Sequence, residues 1–192
     1  MTTPAGLAIR PGRPADAFQI AEVNVRSWRL AYRGFFPDEW LDRLTVEDRL
    51  PLWERHLSDD DSATLVAEID GIVVGFALLG ADRDDRSKGE IRAIYLDPLA
   101  WRRGIGRALM LASEEMLSER FSTANLWVLD QNERARRFYE AVGWTADGTS
   151  KKMVIFGRDA TEVRYSKVME PDPSEATPTD RTRPVPPVRE AG

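Results

Sequence analysis

The run Ile94-Tyr95-Leu96-Asp97-Pro98, followed after five residues by Gly104-Ile105-Gly106-Arg107, decides the fold. An apolar run from Glu90 to Leu96 has strand character and is stopped by Asp97-Pro98. Beyond the glycines, Ile105, Leu109, Ala112, Met116 and Leu117 recur along one helical face as far as Arg120. A strand thus feeds a glycine-containing turn that opens a helix. The first N–H groups of a helix have no partner within it and point outward, so this arrangement is a ready anion site. Gly104 and Gly106 remove the Cβ atoms that would hold a diphosphate away from the backbone. Arg102, Arg103 and Arg107 add positive charge there. Two competing phosphate motifs fail: a dinucleotide fingerprint needs a third glycine where Leu109 stands, and a P-loop needs Gly-Lys-Ser/Thr, which the chain lacks.

Outward from this centre the signals alternate. Leu7 to Arg10 reads as a strand, and Pro14 with Asp16 opens a helix through Phe18, Ile20, Ala21, Val25 and Trp28. Pro37 to Leu57 is spaced for one or two amphipathic helices, with Pro51 expected to interrupt. Ala63 to Ile69 and Ile72 to Leu79 flank Asp70-Gly71, a hairpin dipeptide. Asn125 to Leu129 is strand-like. Asn132 to Val142 is helical and is closed by Gly143. Trp144 to Thr149 and Val163 to Val168 supply two last strands. Strand runs followed by two β-α units imply an α/β fold, a mixed sheet with helices on both faces.

The 192 residues suit one domain, drawn here as 1–169, followed by a tail, 170–192. Six of the twelve prolines lie between Pro171 and Gly192, where large apolar residues are almost absent. That composition predicts disorder, with Pro184 to Pro187 as a minor docking candidate. Without cysteine there is no disulfide framework, thiolate zinc site or cysteine nucleophile, so a ping-pong route through an acyl-cysteine is excluded. Neither a signal peptide nor a membrane-spanning run is expected, and the reading is cytoplasmic. Net charge is −5, and −3 once the tail's five acids and three arginines are set aside. Nucleic acid is therefore not an expected partner, whereas a mildly acidic body suits a cationic amine.

The ordered set Ile94 to Pro98, Gly104 to Leu109, Asn132, Ala135, Phe138-Tyr139-Glu140 and Gly143-Trp144 resembles the GNAT superfamily of acyl-CoA N-acyltransferases, from about Ala63 to Val168. The resemblance implies a mixed, mostly antiparallel twisted sheet. It implies acetyl-CoA as co-substrate, without a metal, and direct transfer of acetyl to a primary amine. The main chain of Ile94, Tyr95 and Leu96 would pair with the pantetheine arm, and a backbone N–H there would stabilise the developing oxyanion. Arg102, Arg103, Gly104, Ile105, Gly106 and Arg107 would hold the diphosphate. Asn132 would bond the CoA arm, cap a helix, or do both. Tyr139 would protonate the departing thiolate, its alternative being a core aromatic beside Phe138. Glu90, fourteen residues before Gly104, would take the amine proton directly or through water, its alternative being a surface carboxylate. One departure stands out: the family usually has Gln or Arg where this chain has Trp101. That change is expected to alter packing or CoA contacts rather than abolish binding.

Other candidates rank lower. Arg136 and Arg137 either reach CoA phosphates or face solvent. Glu22, Asp38 and Glu39 could hold a cationic acceptor. Trp28, Tyr32, Phe35 and Phe36 line an acceptor pocket or fill core. His56, the only histidine, has no ligand cluster around it, which argues against a metal site or a Ser-His-Asp triad. The stretches Ala31 to Pro37 and Phe156-Gly157-Arg158 resemble small-molecule members of the superfamily, polyamine acetyltransferases among them. The acceptor stays open between a small-molecule amine, an aminoglycoside or an amino acid among them, and a peptide or protein amine, whether an N-terminus or a lysine side chain; the oligomeric state, a homodimer included, is not fixed. A non-catalytic CoA-binding module and an interaction protein acting through the tail are the rival readings.

Overall fold

The computed structural model describes residues 4–155 and 157–169; the tail and Phe156 lie outside the described residues. The element order is β1 (Leu7–Pro11), α1 (Ala17–Ala31), α2 (Asp38–Arg43), α3 (Val46–Leu57), β2 (Ser62–Ile69), β3 (Ile72–Ala81), β4 (Gly89–Leu96), α4 (Ile105–Ser118), β5 (Thr123–Leu129), α5 (Glu133–Ala141), β6 (Thr145–Ile155) and β7 (Arg158–Val168). The seven strands form one sheet in the order β1-β2-β3-β4-β5-β7-β6. Every neighbouring pair is antiparallel except β4 and β5.

Local chemistry accounts for most boundaries. Asp70 and Gly71 both adopt positive φ, 50° and 82°, as a two-residue turn between strands of right-handed twist demands. Pro51 does not interrupt its helix as the sequence suggested. The break falls at Leu44, which is extended, and Thr45, whose hydroxyl accepts from the Asp48 N–H at 3.2 Å while the Asp48 carboxylate accepts from the Thr45 N–H at 3.2 Å. This reciprocal cap starts α3 afresh, and the helix tolerates the one bond that Pro51 cannot donate. Both C-terminal strands run to eleven residues, longer than their patterns suggested. β6 is an edge strand with little buried surface, so it carries no apolar alternation to read.

Helices cover both faces. α1 and α3 pack on Val66, Val73, Phe76 and Leu78, and α4 and α5 pack on Leu65, Ala77, Leu79, Ile91, Leu126, Val128 and Tyr165. One irregularity sets up the site. Leu78 pairs with Ala93 but Leu79 pairs with Ile91, so Arg92 is an extra residue in β4. This bulge puts Ile91 and Ile94 on the α4 face, and Ala93 and Tyr95 on the α1 face. The parallel ladder between β4 and β5 covers only Gly89, Glu90 and Ile91, and it stops at the bulge. Beyond it the two strands part.

Candidate active site

The parted strands leave a cleft whose β4 wall runs from Ala93 to Leu96. Asp97 N–H bonds to Val74 carbonyl at 2.8 Å, so the odd-numbered residues of this stretch turn their main chain toward β3. Alternation then turns the main-chain groups of Ile94 and Leu96 into the cleft. The Leu96 carbonyl there accepts from the Ser27 hydroxyl at 2.8 Å and from the Trp101 indole N–H at 3.1 Å. Of the three residues expected to offer main-chain groups, Ile94 and Leu96 face the gap. Tyr95 differs: its backbone pairs with Phe76 of β3, and its ring lies on the α1 face.

At the end of this wall the chain makes the turn read from sequence. Gly104 caps α4 with φ 77°, and a Cβ on it would meet no atom within 4 Å. The N–H groups of Ile105, Gly106 and Arg107, the first three of the helix, have no intrahelical acceptor. A Cβ on Gly106 would meet Leu96 Cδ1 at 2.9 Å, so this glycine serves close packing on β4 rather than the approach of a diphosphate that the sequence suggested. Ala108 supplies the first bond back to the Gly104 carbonyl. Arg102 holds φ 60°, unusual for a residue with a side chain, and Arg102, Arg103 and Arg107 are exposed. An exposed cationic turn at a helix N-terminus fits the cofactor that the sequence implied.

α5 follows β5 in the chain. Asn132 caps it, its side-chain oxygen accepting from the Ala135 N–H at 3.1 Å. Arg136 bonds to the Tyr165 hydroxyl and the Asp130 carbonyl, and Arg137 pairs with Glu133, so neither is directed to the turn. Arg134 is the arginine that meets it, lying 3.5 Å above the Trp101 ring centroid and close enough to Arg102 to be repelled by it. Tyr139 is buried in the α4-face core beside Phe138 and Tyr165. Burial first, and the neighbouring Tyr95 second, push its hydroxyl well above the ordinary tyrosine range. Among the described residues that hydroxyl has no hydrogen-bond partner.

On the α1 face the Tyr32 and Tyr95 hydroxyls meet at 3.2 Å, and the Tyr32 ring meets Trp28 edge-on and Phe36 at a tilt. Phe36 belongs to the buried core, and Trp28, Tyr32 and Phe35 are partly buried against it. Of the two roles the sequence offered, the aromatic stretch packs as core. Glu90 is not a surface carboxylate: it is 1% exposed, and both its oxygens accept from Arg83. It sits on the paired stretch of β4, four residues before Ile94, or about 13 Å along an extended strand. Glu22 pairs with Arg26 and Asp38 with Arg33. His56 packs on Trp53, and burial lowers its pKa. Among the described residues no group of three metal-ligating side chains occurs, and no helix is long and apolar enough to cross a membrane.

Sequence reading missed Arg134, Arg83 and Arg49, because an arginine on an amphipathic helix or in a loop carries no signal until its neighbours are known. Arg49, on α3, lies over the Trp28 ring at 4.9 Å.

Residues 24–144 match the Acetyltransferase (GNAT) family model. The chain is 34% identical over 139 residues to an N-acetyltransferase of Bacillus subtilis, YuaI, covering 70% of this chain and 78% of that one. It is 36% identical over 150 residues to a mycothiol acetyltransferase of Acidimicrobium ferrooxidans, covering 76% of this chain and 44% of that one. A crystal structure of PaiA N-acetyltransferase from Thermoplasma acidophilum in complex with coenzyme A superposes with a TM-score of 0.66 at 25% identity, covering 84% of this chain and 98% of that one. With the parted strands, the cationic turn and these matches together, the chain belongs to the GNAT family and is an acyl-CoA-dependent acetyltransferase.

Proposed function

We propose that the chain transfers acetyl from acetyl-CoA directly to the primary amine of a small molecule, with both bound at once. The observation that carries this reading is the parting of β4 and β5 at the Arg92 bulge, which turns Ile94 and Leu96 toward the gap beside buried Tyr139. In this reading the α4 N-terminus, with Arg102, Arg103, Arg107 and Arg134, binds the diphosphate, and Asn132 flanks the arm. The Ile94 and Leu96 main chain orients the arm, and an N–H of this wall stabilises charge on the thioester oxygen. Tyr139, kept neutral by burial, gives its proton to the departing thiolate. Glu90, whose oxygens are held by Arg83, serves as the far end of a water-borne proton path rather than touching the amine. The likeness to a mycothiol acetyltransferase and a spermidine N(1)-acetyltransferase is compatible with a small-molecule amine.

Release of free thiol from acetyl-CoA across a panel of small amines, with the N-acetyl product identified by mass, tests the reading. Acceptor-dependent thiol release is expected. CoA binding without acceptor-dependent release from small amines or peptides would favour a non-catalytic CoA-binding module.

A further inference from the structure

Among the described residues, three arginines have a buried Nε without a hydrogen-bond partner: Arg29, Arg49 and Arg92. Two of them are answered elsewhere. Arg29 donates through Nη2 to the Asp42 and Leu44 carbonyls, and Arg92 donates to the Ala81 carbonyl and lies 3.8 Å from Glu90. Arg49 makes no hydrogen bond and has no carboxylate within ion-pairing distance among the described residues. Its neighbour in the chain, Asp48, is committed to the Thr45 cap. Arg10, Arg26 and Arg33, near α1, have acidic partners: Arg10 with Asp16 and Glu68, Arg26 with Asp97, Arg33 with Asp38 and Asp42.

Arg49 is half-buried against the Trp28 ring, in the electrostatic neighbourhood of Tyr95, and burial disfavours its charged form. A guanidinium half removed from water, with its Nε buried and no anion beside it, is stabilised only partly by stacking on an indole. An anion delivered from outside would complete the site. The cofactor is not its source, because the pantetheine arm is neutral and the diphosphate belongs at the α4 turn. The planar fork of arginine matches a carboxylate through two parallel bonds. Resting on the acetyltransferase reading above, we infer that the acceptor is a zwitterion of the amino-acid class. Its carboxylate docks on Arg49 over Trp28, and its amine points toward the cleft.

The test uses the full chain loaded with CoA and a calorimetric titration with the twenty amino acids, their carboxamides and spermidine. At least one amino acid is expected to bind about ten- to a hundredfold more tightly than its carboxamide and than spermidine. The preference is expected to vanish in Arg49→Met and to survive in part in Arg49→Lys. Equal binding of acids and amides, no binding of any carboxylate, or a preference that persists in a folded Arg49→Met would overturn the inference. Turnover with acetyl-CoA is measured separately. Carboxylate-selective binding without acetyl transfer would fault the catalytic reading and leave the assignment of Arg49 standing.

Discussion

The guanidinium of Arg134 lies 3.5 Å above the indole of Trp101, whose N–H reaches the Leu96 carbonyl 3.1 Å away. One side chain thus links the end of β4, the glycine turn before α4 and the start of α5, at the position where the family usually has Gln or Arg. Trp101 carries no charge, but it holds a charge that α5 delivers. Removing it as Trp101→Ala forfeits a cation–π contact of about 0.5–2 kcal/mol and frees Arg134 from its place. CoA affinity is expected to fall between about two- and thirtyfold, with kcat at saturating acetyl-CoA changing less. Titration with CoA checks this, and unchanged affinity would dissociate the stack from cofactor binding.

Tyr139→Phe removes only a hydroxyl that has no bonding partner among the described residues. Folding stability and the KM for acetyl-CoA are expected to stay within about twofold, while kcat falls about 10²-fold or more, as expected when a positioned acid is lost. Steady-state kinetics with thermal melts separate these effects. Undiminished turnover in the variant would remove Tyr139 from the chemistry.

Glu90→Gln leaves Arg83 bonded to a neutral amide. If Glu90 terminates the proton path, kcat/KM at neutral pH should drop about 10- to 100-fold, and the deficit should shrink as rising pH deprotonates the free amine. A pH–rate profile is the measurement. A deficit of the same size at every pH would point to loss of the Arg83 pair as the whole effect.

Burial raises the pKa of Tyr32, Tyr95, Tyr139 and Tyr165 above the ordinary 10.0. The sign follows directly. The folded state keeps these hydroxyls protonated while the unfolded chain begins to ionise near pH 10, so the folded state holds more protons there. Stability is fully present below about pH 10 and is lost as pH rises through the folded values. Urea midpoints taken from pH 8 to 11 should fall only at the top of that range, and the fall should be shallower in Tyr139→Phe.

Much of the fold could be read from sequence because its signals are local: Asp70-Gly71 for the hairpin, the apolar stripe from Ile105 to Leu117 for α4, Gly143 for the end of α5. What escaped depends on distant partners. β6 shows no alternation because an edge strand buries little. Pro51 looked like a breaker because a capping box two turns earlier outweighs it. The turn and Asn132 were legible because a helix terminus announces itself. Glu90 was visible as a candidate, but its burial was not, since Arg83 closes on it through a loop. Arg49 was invisible, because what distinguishes it is the lack of a partner.

The three-residue ladder between β4 and β5 also makes a mechanical seam. β1 to β4 form one hydrogen-bonded block and β5 to β7 another, and little main-chain bonding joins them. Their coupling rests on side chains such as Ile91, Leu126, Val128 and Tyr165 in the shared cluster beneath α4 and α5. Loosening that cluster, for example with Leu126→Ala, is expected to split a single cooperative unfolding transition into two, each reporting one block of the sheet.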